Sequence, residues 1–223
     1  MNLGFKPVKG RKVAFCVDDI PQSAINYFNK IDEIPLTLFV SGGLQGEVSY
    51  GKKMYSLSDL KIFCQKHDSI EISCHTYSHN DITSCTNFEF INDCKKNREF
   101  LSSEFNLQGK IGFSFPKGRW NFRVLKYLSK HYKYLRTTRK FVLRFLCFRY
   151  FLPGMPCYSS QLPAVFNIVD RFSLSKNLWL ILYTHDICES PSQFGMTPEE
   201  CNKLIKHLNQ MGFTFVTLED LIK

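Results

Sequence analysis

Residues 70–79 read Ile70-Glu71-Ile72-Ser73-Cys74-His75-Thr76-Tyr77-Ser78-His79. The first five form a short, mostly apolar run, read as a β-strand. The last five set two imidazoles four residues apart just beyond its end. Imidazoles at this spacing turn toward one point if the backbone makes one helical turn. A carboxylate from a neighbouring strand end would complete a two-histidine, one-carboxylate metal site with open positions. Asp18-Asp19, closing the apolar run Val13-Ala14-Phe15-Cys16-Val17, offers that carboxylate.

Working outward, short apolar runs alternate with helix-like segments. Strands are expected over residues 13–17, 36–40, 70–74, 111–115, 134–138, 165–169, 179–183 and 213–216. Helices are expected over 21–30, 56–66, 87–105 and 122–129, with another opening at Thr197-Pro198-Glu199-Glu200, where a cap, a proline and early acids coincide. Such alternation implies a parallel sheet or barrel. Polar residues gather at the strand ends: Asp18-Asp19, Ser41-Gly42-Gly43, His75 to His79, Pro116 to Gly118, and His185-Asp186. Barrel enzymes place their sites at the C-terminal strand ends. With no linker and no internal repeat, residues 1–223 are expected to form one domain.

The chain has 223 residues, 44% of them hydrophobic, enough for a substantial core. No stretch approaches the ~18 uninterrupted apolar residues of a membrane span. Residues 1–12 carry charge without an apolar centre, and nine cysteines lie scattered without close pairs. Both features lead to the expectation of a reduced, cytoplasmic chain.

The net charge of +9 is concentrated in one region. Between Glu104 and Asp170 there is no acidic residue, yet twelve of the 29 basic residues lie there. That leaves 17 basic against 20 acidic residues elsewhere. Within it, residues 131–160 read as a basic, aromatic-rich insertion. Three readings of 131–151 stand beside one another: a helical cover on the barrel, a face for an anionic membrane, or a site for a phosphate carrier. Nucleic acid is the least favoured partner.

Four segments together resemble the polysaccharide deacetylase family, also known as the NodB-homology domain or carbohydrate esterase family 4. Cys16-Val17-Asp18-Asp19 is similar to its Thr-Phe-Asp-Asp motif. His75 to His79 matches its His-Ser/Thr-x-x-His motif. Ser114-Phe115-Pro116-Lys117-Gly118 is similar to its Arg-x-Pro-Tyr-Gly loop, and Leu182-Tyr183-Thr184-His185 to its Leu-x-His strand end. The resemblance implies a distorted (β/α) barrel of about seven parallel strands with outer helices.

It also implies a metal-dependent carbohydrate deacetylase. Asp19, His75 and His79 would bind a divalent metal, zinc before other transition metals. Asp18 would be the base and His185 the acid, with Pro116, Lys117 and Gly118 forming the oxyanion and substrate loop. The substrate would be an N-acetylated sugar: a glycan precursor, a lipid-linked sugar or a polysaccharide. The absence of an export signal favours a substrate assembled at the inner face of the membrane. Two family features have no direct match. The family's loop arginine falls at Ser114, with Arg119 and Lys117 as nearby stand-ins. The aspartate that tunes the catalytic histidine has Asp170 as its candidate. Trp179 is a candidate for stacking on a sugar ring. The competing expectation is a non-catalytic glycan- or phosphate-binding protein on a degenerate deacetylase scaffold.

Overall fold

A computed structural model describes residues 4–223. The chain begins with β1 (Phe5–Pro7), β2 (Arg11–Asp18), α1 (Gln22–Phe28) and β3 (Leu36–Val40). A small hairpin, β4 (Val48–Ser49) and β5 (Lys52–Lys53), precedes α2 (Leu57–Lys66), β6 (Ile70–Cys74) and α3 (Asn87–Phe105). Then come β7 (Phe113–Ser114), α4 (Phe122–His131), β8 (Leu135–Thr137) and β9 (Leu146–Phe148). The chain ends with β10 (Leu152–Pro153), β11 (Met155–Pro156), α5 (Leu162–Arg171), β12 (Leu178–Thr184), α6 (Pro198–Gln210), β13 (Thr214–Phe215) and α7 (Leu218–Leu221).

The main sheet is parallel throughout and runs β10-β8-β7-β6-β3-β2-β12-β11, with β13 added beside β2. Its two ends meet in one segment. Leu152 and Pro153 pair with β8, and Met155 and Pro156 pair with β12. The stretch 152–156 therefore closes the barrel, and Gly154 is the joint. A Cβ at Gly154 would stand 2.7 Å from the Thr137 carbonyl oxygen and 3.0 Å from Arg136 Nη1. Only glycine lets the chain pass so close to β8.

Side chains alternate across each strand, and the alternation builds two cores. Val13, Phe15, Val17, Leu38, Ile72, Leu180 and Leu182 pack outward under the helices. Ala14, Cys16, Phe39, Tyr134, Ile181 and Tyr183 fill the lumen. Each fully buried Leu or Phe contributes about 1.5–3 kcal/mol. The lumen also holds the buried carboxylate of Glu71, which accepts hydrogen bonds from Tyr134, Ser73, Thr37 and the Glu219 amide. Several helices start at side-chain caps. Ser56 caps α2, and Thr86 and Thr197 open α3 and α6 with full capping boxes.

Two sequence expectations need correction. Residues 165–169 are helical, not a strand. Leu162, Val165 and Val169 are the buried positions of α5, at the three- and four-residue spacing of a helix stripe, with Pro163 in its first turn. The insertion 131–160 is not a helical cover beyond the end of α4. It forms β8 to β11, and β9 pairs with β1 to make a two-stranded antiparallel sheet. That small sheet lies at the N-terminal end of the barrel strands. Val8 donates to the Phe145 carbonyl, and Leu143 bridges to Trp179 at the start of β12. Among the described residues, no helix is long and apolar enough to cross a membrane.

Candidate active site

The same alternation that fills the lumen continues past the C-terminal strand ends. Asp18, His75, Thr138 and His185 follow lumen-facing positions of β2, β6, β8 and β12. With Asp19, His79, Lys117, Tyr50 and Tyr158 they line a cavity of about 580 Å³. The backbone is unusual here. Of the seven non-glycine residues with positive φ among the described residues, Asp19, Tyr50, Thr76, His79 and Lys117 line this cavity or link its histidines. Left-handed backbone at non-glycine residues is sparsely populated and gathers at functional sites.

His75 and His79 do converge, but not through a helical turn. Residues 75–79 form an irregular loop, with φ of 62° at Thr76 and 54° at His79. Asp93, from α3, holds the loop in place. Its carboxylate accepts from the amides of Tyr77 and Ser78 and from the Ser78 hydroxyl, at 2.9, 3.0 and 2.8 Å. His75 Nδ1 lies 2.9 Å from the Ser114 carbonyl oxygen. That contact puts the proton on Nδ1 and leaves the Nε2 lone pair facing Asp19.

One ligand atom each from Asp19, His75 and His79 lies within 4.8 Å of the others. Asp19 Oδ1 is 3.2 Å from His79 Nε2 and 3.7 Å from His75 Nε2. It is buried and has no hydrogen-bond partner. Burial pushes the Asp19 carboxyl up to about 7 and lowers His75 to about 3. Burial lowers His79 as well. Neutral imidazoles beside a carboxylate that lacks donors fit a divalent cation, which would offset the cost of burying the carboxylate. Nitrogen and oxygen donors of this kind suit zinc and its first-row neighbours.

Asp18 stands beside this group with a partner of its own. Arg136 on β8 places Nη2 2.5 Å from Asp18 Oδ2 and also donates to Ser114 Oγ. Burial alone would raise the Asp18 carboxyl. The Arg136 guanidinium, joined by His75 and His185, instead holds it below the usual carboxylate range. Arg136 is fully buried and lies over the rings of Tyr183 and Phe39. Asp18 Oδ1 is buried without a partner.

Arg136 is one of the twelve basic residues between Glu104 and Asp170, and its burial keeps it from external phosphates. Its signal was present: Tyr134 and Arg136 share a strand face, and Tyr134 is a lumen residue. The nearby stand-ins do not take this place. Lys117 Nζ pairs with Asp81 at 3.3 Å, and Arg119 donates to Thr83 Oγ1 at 3.0 Å.

His185 Nε2 lies 3.8 Å from Asp19 Oδ2. Its ring sits among Tyr50, Tyr158 and Phe194, with centroids 5.5–5.7 Å away. Nδ1 is buried without a partner. Asp170 does not support it: that residue is on α5, paired with His207 at 2.9 Å. Asp186, next in sequence, turns away to accept from Ser192 and pair with Lys52. Trp179 lies near the opposite barrel end, its indole N–H donating to the Lys9 carbonyl. The Pro116 to Gly118 loop closes the rim. Lys117 has φ of 52°, and a Cβ at Gly118 would fall 1.8 Å from Thr138 Oγ1, so the loop packs directly on the end of β8.

Comparisons with known proteins bear on the family and the fold. A family model described as polysaccharide deacetylase matches residues 5–134. No match emerges among curated proteins. Among solved structures, the chain is similar to the Xyl-CE4 domain of a multidomain xylanase from the hindgut metagenome of Trinervitermes trinervoides. Identity is 17% over 96% of this chain and 90% of that one, with a TM-score of 0.62. IcaB from Ammonifex degensii shares 18% identity over 68% of this chain and 70% of that chain, TM-score 0.55. A CE4 family pseudoenzyme from Bacillus anthracis shares 13% over 96% of this chain and 66% of that one, TM-score 0.58. At these identities the likeness is one of fold.

Proposed function

Because the chain belongs to the polysaccharide deacetylase family, we propose that it is a metal-dependent hydrolase that removes the acetyl group from an N-acetylated sugar. The observation that carries this reading is the joint geometry of three groups around one cavity. Asp19, His75 and His79 form a cation-sized set, Asp18 is held by Arg136, and His185 stands within 3.8 Å of Asp19.

In this reading Asp19, His75 and His79 hold the cation, zinc before other divalent metals. Bound there, it would supply Lewis-acid polarisation of the acetyl carbonyl and a more acidic water. Asp18 takes the water proton on Oδ1, the oxygen that no protein donor occupies. Arg136 keeps Asp18 ionised and fixes its carboxylate plane through Oδ2. His185 delivers a proton from Nε2 to the departing amine. The Lys117 amide, on the loop packed against Thr138, donates to the developing oxyanion. Tyr50, Tyr158 and Phe194 keep water from the His185 side. The sugar is a glycan precursor or polysaccharide unit, bound at the open cavity mouth.

Two observations favour the second reading, a non-catalytic glycan-binding protein. His185 Nδ1 has no carboxylate to fix its tautomer, and one structural neighbour is described as a pseudoenzyme. Acetate release from N-acetylhexosamine oligomers separates the two readings. The hydrolase releases acetate, stops on chelation and recovers with zinc, whereas the binding protein binds the oligomers and releases none.

A further inference from the structure

The sheet formed by β1 and β9 has one side that the barrel does not cover. Its register sets Phe5 opposite Phe148 and Pro7 opposite Leu146. Alternation puts these four on one face, while Cys147 between them turns inward and is fully buried. Phe5 is 48% exposed, Leu146 54%, and the adjoining Phe145 78%. Phe5 stacks on Phe148 at 4.8 Å. A solvent-facing side of an antiparallel sheet ordinarily carries polar side chains, and this one carries none. Leu174, the most exposed large apolar residue among the described residues at 96%, follows Phe172 in the adjoining turn. Arg11 pins that turn through the carbonyls of Phe172, Ser173 and Ser175.

The rim is cationic. Arg144 lies 4.8 Å over the Phe172 ring and 5.3 Å over Phe145. Among the described residues, Lys9, Arg144 and Lys176 have no carboxylate within ion-pairing reach. An apolar face bordered by unpaired cations is complementary to an anionic bilayer surface. A second copy fits less well, because a symmetric contact would bring the same cations together.

We propose that this end of the barrel is a docking face for an anionic lipid bilayer. Phe5, Phe145 and Leu146 enter the boundary between headgroups and acyl chains, and Lys9 and Arg144 meet the headgroups. The inference is independent of the hydrolase reading. It has a geometric consequence: β2 runs from this end to Asp18, a span of about 25 Å at roughly 3.3 Å per residue. The docked chain holds its His75 and His79 end away from the lipid, facing water.

Cosedimentation of the full chain with vesicles tests this. Binding is expected to vesicles of phosphatidylcholine mixed with phosphatidylglycerol, not to phosphatidylcholine alone, and is expected to weaken with salt. Phe145→Ser with Leu146→Ser, and separately Arg144→Glu, lower affinity about tenfold or more while thermal unfolding is unchanged. Phe88→Ser with Phe122→Ser, exposed positions at the starts of α3 and α4, leave binding intact. Failure to bind the anionic vesicles overturns the proposal. So does loss of binding in the Phe88/Phe122 variant, or a lipid-free dimer that Leu146→Ser dissociates.

Discussion

Arg136 stands in register beside Ser114 on the adjoining strand, and its guanidinium reaches across to Asp18 at 2.5 Å. The resemblance places an arginine at Ser114, and this chain carries one beside that position on the adjoining strand. Replacing Arg136 with Met leaves Asp18 buried and uncompensated. A stability loss of about 3–5 kcal/mol is expected in denaturant unfolding, with a rate loss of about a hundredfold or more. The double variant Ser114→Arg with Arg136→Ser returns the guanidinium to the neighbouring position. It is expected to recover part of both losses, which a purely structural role for Arg136 would not produce in the rate.

Asp18→Asn separates base from ligand. Zinc binding measured by calorimetry is expected to persist, because Asp19, His75 and His79 are untouched. Acetate release is expected to fall by about three orders of magnitude. Loss of zinc binding in this variant would reassign Asp18 to the cation.

Zinc should also stabilise the fold. Ligand present at about a hundredfold over its dissociation constant adds about 2.7 kcal/mol, read as a rise in melting temperature. Asp19→Ala and His79→Ala are each expected to abolish the rise.

The sequence made the strands 36–40 and 70–74 and the helix 87–105 legible at their observed bounds, because apolar runs and caps mark them clearly. The closing strand was not legible. In Leu152-Pro153-Gly154-Met155-Pro156, two prolines and a glycine read as a breaker, yet a segment pairing in short halves with two different strands tolerates them. Asp19, His75 and His79 were legible through motif spacing, and the structure brings them together. Arg136 and Asp93 were not, because each acts across strands or helices with no local pattern to announce it. Asp170, the candidate for the aspartate that tunes the histidine, lies on α5, whose helical turn carries it to His207 instead.

His185 is expected to matter in proportion to the leaving group. His185→Ala should slow amide hydrolysis by about a hundredfold or more. It should slow hydrolysis of an activated aryl acetate far less, because a phenolate leaves without a proton. Equal losses on both substrates would argue against an acid role.

Asp186 supplies the pH dependence. Burial alone would raise its carboxyl. The Ser192 hydroxyl and amide, with Lys52, hold it below the ordinary carboxylate value. Its contribution to stability is therefore present above about pH 4 and lost as pH falls below the unfolded value. Asp186→Asn should lower the melting temperature at neutral pH and narrow its gap to the parent chain in acid. A gap that widens in acid would contradict the assignment.

The most direct measurement is acetate release from chito-oligosaccharides by the zinc-loaded chain, with Asp18→Asn as its control. Turnover by the parent chain that stops with chelator, returns with zinc and is lost in the variant is the expected result. Zinc bound at Asp19, His75 and His79 with no acetate released from N-acetylated oligomers, or equal release by Asp18→Asn, would contradict it.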